Sequence, residues 1–211
     1  MQIKINYYNI VVNHLHIISQ GKEFDMKKSI RKGILEIRKN KSSDFVNNAS
    51  NTIVDKIISL DEIKKADNIM LYLDFKNEVQ MDRLVNKLKS LGKMVCSPIT
   101  VLDQKKLIPA EITDLEEGIS ISTYGIREPL NTNSHIDLKS IDVVIVPGVA
   151  FDLNCFRLGY GAGLYDRFLE NIRTDAKTIG VAFDFQILDT VPTEPHDKQL
   201  DMIVTEIRNI L

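Results

Sequence analysis

Residues 141–168 read IDVVIVPGVAFDLNCFRLGYGAGLYDRF, and this stretch decides the fold. Its first six residues form the most apolar strand-like run in the chain, the composition expected of a strand covered on both faces in a parallel sheet. Pro147 follows, then a glycine-rich segment to Gly163, and residues 164–173 have helical character. A buried strand, a glycine loop and a helix in that order mark the carboxyl end of a strand in an open α/β sheet, where ligands bind.

The flanking sequence agrees. Residues 68–73 (NIMLYL) read as a strand and residues 79–91 as a helix with Leu84, Val85, Leu88 and Leu91 on one face. Gly92 suits the position after that helix. Residues 93–97 (KMVCS) form the next strand, which Pro98 is expected to end. This β-α-β order implies parallel strands joined by a right-handed crossover. Residues 99–129 read as short strands and loops, and residues 177–182 and 202–205 as two further strands. Upstream, residues 27–39 read as a basic amphipathic helix carrying Ile30, Ile34 and Ile37. Ser43 or Asp44 caps a second helix running to about Leu60, with Phe45, Val54, Ile57 and Ile58 at helical spacing. The expectation is one three-layer α/β/α domain with a mostly parallel sheet over residues 26–211, preceded by an N-terminal extension, residues 1–25, with no clear period.

Composition narrows the function. The 211 residues are 44% hydrophobic and 27% charged, with a formal net charge of -2. No broad electrostatic field favours nucleic acid or an anionic membrane, so an anionic ligand must be held by a local cluster of donors. No apolar run has the length of a membrane span, and the N-terminus lacks the pattern of a secretion signal. Cys96 and Cys155 have no metal-binding spacing and read as two reduced thiols, as a cytoplasm would keep them.

Gly159, Gly161 and Gly163 alternate just before the helix. Glycine permits positive φ and close approach of a ligand. Successive free N–H groups near a helix start form an anion pocket. Arg157 adds a planar cationic fork suited to phosphate, and Asp166 is placed to hold Mg²⁺ beside such phosphates. By itself a G-x-G-x-G loop is equally a plain tight turn. It is neither a Walker loop nor the dinucleotide fingerprint.

The whole string says more. RLGYGAGLYDRF resembles the RLG-x-G-x-G-x-YDR signature of the 5-formyltetrahydrofolate cyclo-ligases. KKSIR, IMLYLDFKNEV, GKMVCSP, YGIREP, VPGVAFD and HDKQLDMIVTE resemble that family's other elements in the same order. The chain departs from the pattern at Cys155, where the family usually has glycine, at Leu164 (aromatic) and at Met81 (hydroxyl). Tyr160 and Ala162 stand where basic residues are common.

The resemblance implies a fold similar to the sugar-phosphate isomerase and CoA transferase-like proteins. It also implies an ATP-dependent conversion of 5-formyltetrahydrofolate to 5,10-methenyltetrahydrofolate, with Mg²⁺ as cofactor, small-molecule substrates, and a monomer or weak dimer. Carried over position by position, ATP would be held by Lys27, Lys28, Arg31 and the run Arg157, Leu158, Gly159, Tyr160, Gly161, Ala162, Gly163, Leu164 and Tyr165. Folate would contact Leu73, Glu78, Tyr160, Gly161 and Leu164. Arg157 and Tyr165 would be catalytic, and Asp166 and Asp201 would hold the metal. Each residue also has a plainer reading. Lys27 and Arg31, four apart, share a helix face that solvent alone could explain. Glu78 is equally an acid favoured at a helix start, Leu164 and Tyr165 ordinary core, and Asp201 a strand-start carboxylate. Two other classes stay open: an ATP-independent isomerase or CoA transferase-like enzyme, and a relative that binds nucleotide or folate without turnover.

Overall fold

The computed structural model of the protein describes residues 23–122, 125–130 and 132–211. Its centre is a seven-stranded sheet. In chain order the strands are β1 (Asn68–Met70), β2 (Met94–Val101), β3 (Lys106–Glu111), β6 (Val143–Val146), β9 (Lys177–Val181), β11 (Met202–Val204) and β12 (Asn209–Ile210). In space they run β12-β11-β9-β6-β1-β2-β3. The inner five are parallel, and β3 and β12 close the two edges antiparallel.

Alternation along these strands explains the layers. Ile69, Leu71, Val143 and Ile145 face one way. They meet α2 (Ser43–Ser59), α3 (Asp61–Lys65) and α4 (Asp82–Ser90) through Ile53, Ile57, Ile63, Leu84 and Leu88. Met70, Val144 and Val146 face the other way and pack with Phe168 of α5 (Leu164–Leu169) and with Ile172. Period-2 burial on both faces is what an all-apolar strand such as VVIV requires, and all four of its residues are buried. The fold is therefore the expected α/β sandwich with a mostly parallel sheet. Two small sheets accompany it: β10-β7-β8, from β7 (Ala150–Asp152), β8 (Arg157–Leu158) and β10 (Ile187–Leu188), and the pair β4 (Ile119–Ile121) and β5 (Arg127–Pro129). The first helix, α1 (Glu23–Lys39), lays Ile34 onto Ala150 and Leu158 of the three-stranded sheet and onto Val149 just ahead of it.

Several boundaries differ from the sequence reading. The helix α1 begins at Glu23, ahead of the expected boundary at Met26, and most of the expected extension, residues 1–25, lies outside the described residues. The cap of α2 is Ser42, whose Oγ accepts from Phe45 N at 3.2 Å, rather than Ser43 or Asp44. Pro98 does not end β2. Cys96 O accepts from Leu71 N, so two residues on the Pro98 nitrogen points the same way, past the end of β1, where no ladder donor is needed. The expected helix at residues 164–173 stops at Leu169. Arg173 is drawn off to Asp142 at 2.5 Å, and Lys177 N donates to Asp142 O at 2.8 Å to start β9.

Candidate active site

The parallel strands β1, β2 and β6 all open at their carboxyl ends into one cleft of about 470 Å³. Tyr72 and Leu73 follow β1, Ser97 and Pro98 lie in β2, and Pro147 follows β6.

One end is cationic. The glycine loop runs from β8 to α5, with Gly161 at φ +108° and Gly163 at φ +62°, conformations that L side chains rarely adopt. Three cations of α1 approach from a single helix stripe. Arg31 Nε donates to Gly159 O at 2.7 Å, tying helix to loop. Lys27 Nζ donates to Glu194 at 2.8 Å and Asp197 at 3.3 Å. Burial works against the Lys27 charge, but the bonds and charges of Glu194 and Asp197 prevail and raise its pKa. Lys28, exposed, also lines the cleft. Arg157 is 7% exposed. Its Nη2 donates to Asp166 Oδ1 at 2.8 Å, and its guanidinium lies 5.7 Å from the centre of the Tyr165 ring. The α5 helix has only six residues, so this end relies on loop amides and side-chain cations more than on a helix dipole.

The other end is apolar, with Leu73 and Leu164 in its walls and the buried Glu78 at its base. Glu78 Oε1 accepts from Tyr160 Oη at 2.7 Å and from Arg38 Nη1 at 3.5 Å, and Oε2 accepts from Phe75 N at 3.1 Å. Burial pushes the Glu78 carboxyl up in pKa, and Arg38 is the first group that pulls it back. Tyr165 Oη is buried and has no hydrogen-bond partner among the described residues, and burial raises its pKa well above the usual phenol value.

The structure thus brings Lys27, Lys28, Arg31, Leu73, Glu78, residues 157–165 and Asp166 to one cleft. Asp201 is elsewhere. It precedes β11, at the amino ends of the parallel strands, and its Oδ2 accepts from Thr178 N at 2.8 Å and Thr178 Oγ1 at 2.7 Å while Oδ1 takes Lys177. It is not among the residues that line the cleft. Among the other carboxylates that line the cleft is Asp197, whose neighbour Lys198 donates its N–H to Asp166 Oδ1 at 3.4 Å. Asp197 and Asp201 are four apart in HDKQLD, and only their placement at opposite strand ends separates them. Arg38 also escaped the sequence reading. The available signal was its spacing of seven from Arg31, which continues the Lys27–Arg31 stripe.

Among the described residues no group of three or more His, Cys, Asp or Glu side chains is gathered as a metal cage. A Mg²⁺ that enters with phosphates needs only one or two carboxylates. Asp166 fits that demand, because its Oδ2 accepts no hydrogen bond from the described residues.

A parallel sheet covered by helices, with a two-part cleft at its carboxyl edge, defines a three-layer α/β protein with a small-molecule site. More narrowly, the chain belongs to the 5-formyltetrahydrofolate cyclo-ligase family, whose sequence profile matches residues 23–206. It is 30% identical to a probable 5-formyltetrahydrofolate cyclo-ligase of Schizosaccharomyces pombe over 88% of this chain and 99% of that one. It is also 30% identical to the 5-formyltetrahydrofolate cyclo-ligase of Haemophilus influenzae over 84% of this chain and 97% of that one. The NMR structure of Aquifex aeolicus 5,10-methenyltetrahydrofolate synthetase superposes with a TM-score of 0.77 at 29% identity, covering 88% of this chain and 92% of the other.

Proposed function

We propose that this protein converts 5-formyltetrahydrofolate and ATP to 5,10-methenyltetrahydrofolate, ADP and phosphate. The observation that carries the reading is the single cleft, in which a cationic glycine loop and a buried carboxylate are joined through Tyr160. A triphosphate at one end and a pterin at the other would place the γ-phosphoryl group beside the formyl group.

The chemistry needs that arrangement. An N-formyl group is resonance-stabilised, and its oxygen is a poor leaving group. Transfer of the γ-phosphoryl group to that oxygen turns it into a phosphate ester. N10 then attacks the formyl carbon and gives up its proton, the ring closes and phosphate departs. The protein supplies position and charge rather than a nucleophile. Lys27, Lys28, Arg31 and Arg157 offset phosphate charge, and the amides of residues 158–163 orient the chain of phosphates. Glu78 accepts from a pterin N–H group: a carboxylate offers about four acceptor positions, and the three donors above leave one on Oε2. Leu73 and Leu164 pack against the ring. Tyr165 Oη, without a partner among the described residues, donates to the reacting oxygen or to a phosphoryl oxygen. Mg²⁺, held by Asp166 with Asp197 nearby, would supply charge neutralisation on the phosphates.

The cleft is complete within one chain, so a monomer suffices. Both cysteines are free, which suits a reducing cytoplasm. Among the described residues no helix is long and apolar enough to cross a membrane.

The test is the ultraviolet absorbance of the methenyl product on mixing purified protein with 5-formyltetrahydrofolate and Mg-ATP. Product that requires both substrates supports the assignment. Turnover without nucleotide would place the protein with the isomerases and transferases. Binding of both ligands in calorimetry with no product would make it a binding protein.

A further inference from the structure

Arg38 is 1% exposed, and it sits in the last turn of α1, where a basic side chain ordinarily reaches solvent. Here it turns inward to the base of the cleft. Its Nη1 donates to Glu78 Oε1 at 3.5 Å and its Nη2 donates to Tyr160 Oη. Guanidinium has donors only. With Arg38 donating to the phenol oxygen, Tyr160 must direct its own proton onto Glu78, which it does at 2.7 Å. Arginine, phenol and carboxylate therefore form a one-way chain of donors that ends on Glu78.

Burying such a pair is expensive, and an apolar pair of similar volume commonly serves stability as well or better. Arg38 Nε even lacks a partner among the described residues. A cation kept at this depth beside the carboxylate of the ligand cleft calls for a role beyond packing. The departure from the family pattern at Tyr160 bears on it too. Where basic residues are common on the loop, this chain has a phenol, and a cation from α1 reaches that phenol from behind.

We infer that Arg38, acting with Tyr160, is the positioning residue that keeps Glu78 ionised and aimed at the pterin, and that it links the glycine loop to the folate end of the cleft. This rests on the cyclo-ligase reading of Glu78. The groups around Glu78 are Arg38 from α1, Asp74 from the loop after β1, Tyr72 beside it, Tyr160 from the glycine loop and Tyr165 from α5. Among the described residues Arg38 is the cation bonded to Glu78, while Arg127 is taken up by Asp74 at 2.9 Å and by Asp82, so removing Arg38 leaves burial opposed at Glu78 only by the hydrogen bonds from Tyr160 and Phe75.

The experiment compares wild type, Arg38→Met, Arg38→Lys, Tyr160→Phe and the double variant R38M/E78Q. Binding of 5-formyltetrahydrofolate is measured by calorimetry between about pH 6 and pH 9, and KM is measured for each substrate. In R38M folate affinity falls about tenfold or more at the acid end and recovers as pH rises, since one unit of pKa is a tenfold change in the ionised fraction. KM for ATP changes far less than KM for folate. R38K recovers most of the affinity, because it restores the charge. Tyr160→Phe weakens folate binding by about tenfold to a hundredfold, the worth of one hydrogen bond to a charged group. The double variant carries no uncompensated charge and melts near wild type, yet binds folate poorly at every pH. If R38M binds folate as wild type does with the same pH profile, or if R38K is no better than R38M, the inference is overturned. Wild-type protein that forms no methenyl product would instead overturn the cyclo-ligase reading.

Discussion

At the scale of single residues, Arg157 and Cys155 make the sharpest tests. Arg157 is nearly buried, bridges to Asp166 and lies over Tyr165, so truncation removes both a phosphate donor and the restraint on Asp166. Arg157→Ala should raise KM for ATP by about tenfold or more, the worth of one charge-assisted contact, with a much smaller effect on KM for folate. Initial-rate kinetics varying each substrate decide it, and equal effects on the two would contradict the assignment. Cys155 occupies the turn of the β7–β8 hairpin at φ +61°. That turn is held by Asp152 Oδ1, which accepts from Asn154 N and Phe156 N. The left-handed backbone explains why glycine is usual there in the family: a side chain at that φ costs about 1–2 kcal/mol. Cys155→Gly should therefore be more stable than Cys155→Ala by about 1 kcal/mol, reversing the usual order of the two residues, and paired thermal melts would show it. Motif residues around the glycines were legible in sequence because their chemistry is local. Arg38 and Asp197 were not, since burial of a helix-end arginine and the choice between two aspartates depend on contacts far away in the chain.

At the scale of elements, apolar runs and periodicity located the five parallel strands of the main sheet and the helices α1, α2, α4 and α5, but not the helix α3 or the edge strand β12, and the ends of all of them were set by partners. The helix α4 starts at Asp82 rather than Val79 because Val79 and Met81 point into the core. Their segment is tied down outside the helix by Gln80 N donating to Ser50 Oγ at 3.0 Å and Met81 N donating to Asp74 at 3.1 Å. No local pattern announces bonds to residues 50 and 74. The start of α2 offers a cleaner test. Ser42 Oγ satisfies one of the helix's four orphan amides. Ser42→Ala should cost about 1 kcal/mol, a drop of about 2–4 °C in melting temperature for a domain of this size. Ser43→Ala, where the sequence also admitted a cap, should leave the melt within about a degree of wild type.

At the scale of the whole molecule, the cleft joins the two ends of the described chain. Lys27, in the first described helix, is bonded to Glu194 and Asp197 in the loop ahead of β11. These carboxylates occupy the ammonium that ATP phosphates would use, so nucleotide and loop compete for it. The contest is uneven in a useful way. Glu194 is exposed at 53% of its side chain, and its pKa is lowered by the bond to Lys27. Asp197, at 14%, lines the same cleft as Asp166 and would be retained if it joins a phosphate-bound metal. Removing only the Glu194 charge should therefore leave Lys27 with the longer contact to Asp197 and more available to phosphate, without dismantling the site. Glu194→Gln is expected to lower KM for ATP by about twofold to fivefold at low salt, with the advantage fading at high salt as exposed pairs are screened. Asp197→Asn should act in the opposite sense, raising KM for ATP and the Mg²⁺ concentration needed for half-maximal rate. Steady-state kinetics over a salt series separate the two. A rise in KM for ATP in Glu194→Gln would mean that this carboxylate holds Lys27 in place for the nucleotide rather than away from it.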